Sequence, residues 1–171
     1  MQKLKWLTGV VVVMGVALVG VAEADAGTAT SNLGVSATVS STCSITAGSL
    51  AFGAYDPVAG TQIDGTATIS VSCTRGATAT VTLGQGANAN AGSTDTVPLR
   101  RMKDSGTNRL SYSLFSESTR TTTWGNTAPT GLGYTASSSS ATALTVFGRI
   151  TSAQDVPAGS YTDTVLATIT F

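Results

Sequence analysis

Apolar and polar residues alternate one for one along much of this chain. Leu33, Val35, Ala37 and Val39 are interleaved with Asn32, Gly34, Ser36, Thr38 and Ser40. Ala67, Ile69, Val71 and Cys73 alternate with Thr66, Thr68, Ser70 and Ser72, and Ala79, Val81 and Leu83 continue the pattern. Leu110, Tyr112 and Leu114 share one face of a further run. Leu144, Val146 and Gly148 share one face of another, with Phe147 opposite. Val165, Ala167, Ile169 and Phe171 alternate with Thr164, Leu166, Thr168 and Thr170. A period of two is the period of side chains on a strand, so each run predicts a strand with one buried face. Turn chemistry separates the runs at Asp56-Pro57, at 84–92, at Asp104-Ser105-Gly106, at Gly125-Asn126 and at Pro157-Ala158-Gly159. No amphipathic helical window follows residue 26. Short strands and regular turns over this length predict an antiparallel sandwich or barrel, in an order that the linear pattern does not give.

The first and last runs stand apart. Residues 27–39 can extend about 40 Å, well beyond an ordinary strand of about 17–20 Å. The last run closes on Phe171. A spare strand at one end and a strand at the other suit pairing between molecules. They also suit the first and last strands of one closed sandwich, and the pattern admits both.

Residues 1–26 have the layout of an export leader. Lys3 and Lys5 precede an apolar run from Val10 to Val21, and Ala22-Glu23-Ala24 and Ala24-Asp25-Ala26 each offer a small-x-small cleavage pattern. The run is short for a membrane span and no basic stop-transfer follows it. The mature chain is expected to start at Gly27 and to form one domain. Of nine basic and nine acidic residues, Lys3, Lys5, Glu23 and Asp25 leave with the leader, so seven of each remain and the net charge stays zero. Arg100, Arg101 and Lys103 are the one basic cluster, which speaks against a nucleic-acid partner. Only 11% of residues are charged, as suits a surface buried against copies of itself and also a merely Ser/Thr-rich secreted domain; composition does not separate the two. Cys43 and Cys73 form an even pair in an exported chain and are expected to be disulfide-bonded. A metal site at the pair would need further ligands, and the chain has no histidine.

The same lack removes the common Ser-His triad. Asp56, Asp64, Asp95, Asp104, Glu117, Asp155 and Asp163 are the remaining candidates for acid–base chemistry, but most sit at expected turns or strand ends, where Asp is a structural residue. Gly84-Gln85-Gly86 lacks the length and the lysine of a phosphate loop. Tyr55, Tyr112, Trp124 and Tyr134 suit a sugar platform in a monomeric carbohydrate-binding module, but aromatics in a β-sandwich more often serve in core or strand-end packing. No catalytic residue, metal or cofactor is expected, and the chain is not expected to be an enzyme.

An ordered set of motifs runs through the mature chain. Leu50-Ala51-Phe52-Gly53-Ala54-Tyr55-Asp56-Pro57 is followed by Ile69-Ser70-Val71-Ser72-Cys73, then by Leu110-Ser111-Tyr112-Ser113-Leu114-Phe115-Ser116-Glu117 and Arg120-Thr121-Thr122-Thr123-Trp124-Gly125. Val146-Phe147-Gly148-Arg149-Ile150 and Gln154-Asp155-Val156-Pro157-Ala158-Gly159-Ser160-Tyr161-Thr162-Asp163-Thr164-Val165 complete it. In this order and spacing the set resembles the spore coat protein U family, which includes the subunits of archaic, Csu-type chaperone–usher pili. The resemblance implies an all-β fold: an incomplete immunoglobulin-like β-sandwich, short of its seventh strand and completed by donor-strand exchange. It implies a donor extension over residues 27–40, with Leu33, Val35, Ala37 and Val39 as its knobs, and a sandwich domain over 41–171. Val165, Ala167, Ile169 and Phe171 would then border the acceptor groove and the chaperone-binding edge. The family's cysteine pair falls on Cys43 and Cys73. The implied partners are a periplasmic pilus chaperone, an outer-membrane usher and further copies or homologous subunits in a filament. The implied destination is the cell surface, as a pilus supporting adhesion and biofilm formation or as a spore or cell coat.

Overall fold

The computed structural model describes residues 26–171. The leader expected over 1–26 therefore lies outside the described residues, Ala26 excepted. Among the described residues, eight strands and a 3-10 turn at Ala128–Thr130 make up the regular structure. In chain order the strands are β1 (Cys43–Ala47), β2 (Ile63–Cys73), β3 (Thr78–Leu83), β4 (Arg100–Lys103), β5 (Arg109–Phe115), β6 (Leu132–Thr135), β7 (Thr142–Ile150) and β8 (Ala167–Thr170). Among the described residues no helix is long and apolar enough to cross a membrane.

Every strand pair is antiparallel. One sheet has the order β1-β2-β7-β5-β4 and the other the order β6-β3-β8. The alternation predicted for β2, β3, β5 and β7 is realised: Ile69 and Val71, Val81 and Leu83, Leu110 and Leu114, and Val146 and Ile150 all turn inward and are buried. These residues come from both sheets, so the core lies between them. Trp124 is wholly buried in this core, and its indole N–H donates to the Val81 carbonyl at 2.8 Å.

The sheet order has a familiar frame. A constant-type immunoglobulin sandwich sets strands A, B, E and D in one sheet and C, F and G in the other. Here β1, β2, β7 and β5 hold the A-B-E-D places, β3 and β8 hold C and F, β4 extends the first sheet and β6 flanks β3. Among the described residues no strand holds the G place beside β8.

Cys43 and Cys73 are disulfide-bonded, as expected. They face each other across β1 and β2 with their Cα atoms 4.1 Å apart. The close approach of a non-hydrogen-bonded antiparallel pair makes such a bridge possible. With a sequence separation of 30, the bond is worth about 3–4 kcal/mol on the chain-entropy account.

One expectation is not realised. No strand forms over 26–42, despite the period-two pattern there. Leu33 and Val35 are each 87% exposed, Val39 is 81% exposed, and Ala37 is exposed as well. Alternation sets which side chains share a face; a strand also needs a neighbour to take its backbone hydrogen bonds, and among the described residues 26–39 pair with none.

Candidate functional site

The empty G place is bounded by two sheet edges, and backbone hydrogen bonding defines both. Beyond β8, the Gly84 N–H donates to the Leu166 carbonyl at 2.8 Å and the Ala87 N–H to the Thr164 carbonyl at 3.0 Å. Antiparallel pairs alternate between bonded and non-bonded residues, so 164, 166, 168 and 170 spend their backbone groups on the β3 side. The N–H and C=O groups of Val165, Ala167 and Ile169 then point to the open side, while their side chains lie half-buried against the core. On β1, the Thr74 N–H donates to the Thr42 carbonyl and the Gly48 N–H to the Thr68 carbonyl, both at 2.8 Å. By the same alternation Cys43, Ile45 and Ala47 turn their backbone groups outward, away from β2. Among the described residues, these two rows of donors and acceptors have no partner, and they belong to residues whose side chains line the depression or pack on the core.

Between these edges lies a long apolar depression. Two adjoining hollows, about 450 and 660 Å³, share Leu50, Phe52, Met102 and Tyr161 as common walls. The smaller runs between Ala47 and Ala167 over a floor that includes Ile69, Leu83 and Leu114. The larger opens between the loop carrying Tyr55 and Pro57 and the loop carrying Val156 and Pro157. At the other end the depression is closed: Cys43 and Ile169 both pack on the small cluster of Cys73, Ala79 and Ala136. The site therefore has a mouth at the Tyr55–Pro157 end and a closed end at the disulfide.

Local sequence builds these walls. Leu50 and Phe52 rest on Gly148, where a Cβ would stand 2.8 Å from each ring or methyl carbon, and on the facing Gly65. Two paired glycines thus cut the recess that seats them. The tyrosines at the mouth are fixed by hydrogen bonds. The Gln154 N–H donates to the Tyr55 hydroxyl at 2.9 Å, and the Tyr161 hydroxyl donates to the Pro157 carbonyl at 2.9 Å. Asp163 secures the approach to β8. It accepts the Tyr112 hydroxyl at 2.6 Å and both the backbone and side-chain amides of Asn88. Burial and the Asp163 carboxylate push the Tyr112 phenol well above its ordinary pKa.

Residues 29–168 match the Spore Coat Protein U domain. The chain belongs to that family. Within the spore coat protein U family it is similar to "Protein U" of Myxococcus xanthus, with 46% identity over 164 residues covering 90% of this chain and 91% of that protein. Its fold is similar to a chain in the crystal structure of the CsuC–CsuE chaperone–tip adhesion subunit pre-assembly complex from the archaic chaperone–usher Csu pili of Acinetobacter baumannii. The TM-score is 0.54 at 22% identity, over 78% of this chain and 40% of that one. That likeness carries the all-β architecture.

In this spore coat protein U domain the residues expected at the acceptor edge are not equivalent. Val165, Ala167 and Ile169 sit half-buried on the core side, whereas Phe171 lies past the end of β8 and is 57% exposed. Opposite them, Ile45 and Ala47 of β1 carry the second edge, and Leu50, Phe52, Met102 and Tyr161 line the depression. None of these was expected from the alternation. The signals were present as the Cys43-Ser44-Ile45-Thr46-Ala47 alternation and the Leu50-Ala51-Phe52 motif, but which strand borders the gap depends on sheet order.

The aromatic candidates do not form an exposed platform. Trp124 and Tyr112 are core residues, Tyr55 lies at the mouth, and Tyr134 is half-buried with its hydroxyl 3.2 Å from that of Thr142. Apart from the exposed Asp155, the acidic residues are dispersed in structural roles. Asp56 accepts the Val58 and Ala59 N–H groups, Asp104 those of Gly106 and Asn108, and Glu117 those of Thr121 and Thr122. The hydrogen bonds to Glu117 hold its carboxyl down to about 2. Asp64 bridges Arg149 and Arg120, with the Arg149 hydrogen bond foremost in lowering its pKa.

Proposed function

We propose that the chain is a structural subunit of a bacterial surface assembly, polymerised by donor-strand exchange, and that it is not an enzyme. One observation carries this reading: an apolar depression between the unpaired edges of β1 and β8, in the G place of the sandwich, in a chain whose residues 27–40 hold an exposed, unpaired period-two pattern. Leu33, Val35, Ala37 and Val39 of one copy are the knobs that fill the groove of the next. Addition of a strand to an open sheet edge fits this geometry: main-chain bonds give affinity, and alternate side chains set register. Burying Leu33, Val35 and Val39 is worth about 1.5–3 kcal/mol each, with less from Ala37, before the cost of ordering the segment.

An open edge of this kind invites aggregation. A periplasmic chaperone that covers it and an outer-membrane usher that exchanges the cover for a donor strand are the partners this reading requires. The likeness in fold to a chain of the chaperone–tip adhesion subunit complex supports that choice. The product is a pilus that supports adhesion and biofilm formation. A coat role is the second reading, favoured by 46% identity over nearly the whole length of Protein U.

A synthetic peptide of residues 27–40 tests the central step. Added to the full chain, it should raise the melting temperature and cap polymers at short lengths in electron micrographs. The same peptide carrying Val35→Asp should do neither. Equal effects from both peptides, or from neither, would refute donor complementation.

A further inference from the structure

We infer that successive copies also meet pole to pole, with Arg75 at the disulfide end of one copy against Asp56 and Asp155 at the groove mouth of the next. The inference rests on the donor-strand reading and adds a second, electrostatic contact to it.

β8 and its approach run from the mouth toward the disulfide end, because Tyr161 lines the larger hollow, Val165 the smaller, and Ile169 packs on the disulfide cluster. A donor parallel to β8 would bring its own body out at the closed end of the acceptor. The acceptor's own N-terminal segment leaves from that same end, since it leads into Cys43. Both neighbours would then crowd one pole. A donor antiparallel to β8 brings its body out at the mouth, so the two neighbours occupy opposite poles and the chain can extend. This is also the pairing found throughout both sheets.

The connection is short. Val39 is the last donor knob, and Thr42 is already held by its own domain. The Thr42 N–H donates to Thr74 Oγ1 at 3.1 Å, Thr74 Oγ1 donates to the Ser40 carbonyl at 3.3 Å, and the Thr74 N–H donates to the Thr42 carbonyl at 2.8 Å. Three residues between Val39 and Cys43 span about 10 Å. The disulfide pole of the donor copy therefore lies within side-chain reach of the acceptor's mouth.

Arg75 follows Thr74 directly, in the β2–β3 turn closed by Gly76 at φ +84°. It is exposed and has the one charged side chain in the segments 40–43, 73–78, 135–142 and 168–171 that form this pole. At the mouth, the segments 48–62 and 151–161 carry two charges, Asp56 and Asp155, both exposed, and the β4–β5 turn beside Tyr161 and Thr162 adds Lys103, Asp104 and Arg109. They adjoin the wall residues Tyr55, Pro57 and Val156. Arg75, Asp56 and Asp155 take part in none of the ion pairs among the described residues. Unlike charges thus stand unpaired on the two surfaces that the donor connection brings together. Complementary rims of this kind speed encounter and set orientation.

The test follows assembly of the full-length chain by light scattering at low and high salt, beside binding of the 27–40 peptide, which lacks Arg75. Arg75→Glu and Asp155→Lys should each slow assembly about threefold to tenfold at low salt, with the difference vanishing near 0.5 M salt. The double variant should recover the wild-type rate, and peptide binding should be unchanged in all three. Should Arg75→Glu fail to fold, Arg75→Gln and Asp56→Asn, which keeps the turn's acceptor oxygen, take its place. Peptide binding with charge-insensitive assembly, or with no joining of copies, overturns the pole contact and leaves the donor reading standing. No peptide binding overturns the donor reading, and the contact with it.

Discussion

Arg100 shows how a single side chain can belong to the frame when its neighbours in sequence suggest a basic surface. Arg100, Arg101 and Lys103 are adjacent in the chain, yet Arg100 is only 1% exposed. Its guanidinium donates to the Leu83, Gly84 and Trp124 carbonyls at 2.7 to 2.8 Å, tying β4 to the end of β3 and to the loop after β5. Burial draws its pKa down to about 10, opposed by Tyr112 and Asp163, so it stays protonated at neutral pH. Arg100→Met would keep the stem volume but leave three carbonyls without their donor. Relief from burying a charge offsets part of that loss. We expect a net destabilisation of about 2–4 kcal/mol, read as a lower urea midpoint at unchanged slope, with little recovery in Arg100→Lys because one ammonium does not reproduce the fork. A shift of less than about 0.5 kcal/mol would mean that the three bonds are dispensable.

At the scale of elements, the two borders of the gap differ in what holds them. β8 is paired on one side by β3 over 167–170, yet alternation of half-buried and exposed residues continues back to Tyr161. Ile169 contributes to its own core, whereas Phe171 lies beyond the strand and remains mostly exposed. Phe171→Ser should therefore leave the melting temperature of the isolated chain nearly unchanged and weaken binding of the 27–40 peptide about tenfold, as the exposed part of a ring is worth about 1–2 kcal/mol when covered. Ile169→Ser should lower the melting temperature itself. Equal peptide affinity for wild type and Phe171→Ser would remove Phe171 from the groove. The contrast also marks how far sequence reasoning reaches. Inward faces of β2, β3, β5, β7 and β8 follow from period two, because alternation and burial are the same fact on a one-faced sheet. β1 and the walls built by Leu50 and Phe52 do not follow, because they depend on which strand neighbours which and on paired glycines far apart in the chain, Gly65 and Gly148. The Leu33–Val39 run reads as a strand from its alternation alone, but alternation is silent about where a partner strand will come from.

At the scale of the whole molecule, a closed sandwich and a polymer subunit make opposite demands on residues 27–39. In a closed sandwich Val35 would lie in its own core, and Val35→Asp would bury an unpaired carboxylate there, with misfolding as the result. In a polymer subunit the same change leaves the chain's own groove, disulfide and core untouched, because Val35 is exposed in the chain that carries it. The Val35→Asp chain should then fold, keep Cys43 bonded to Cys73, and melt within about a degree of wild type. It should accept the 27–40 peptide normally and yet form no fibres, since the aspartate would enter a neighbour's apolar groove. Mixing sharpens the expectation. A chain that accepts a strand but donates none ends every fibre it joins, so fibre length in electron micrographs should fall steadily as its fraction rises. Failure to fold would place Val35 in its own core and return the molecule to a closed sandwich. Normal assembly would move the donor elsewhere in the chain. Only soluble, peptide-competent and fibre-terminating behaviour fits an exposed segment whose hydrophobic face belongs to the next copy.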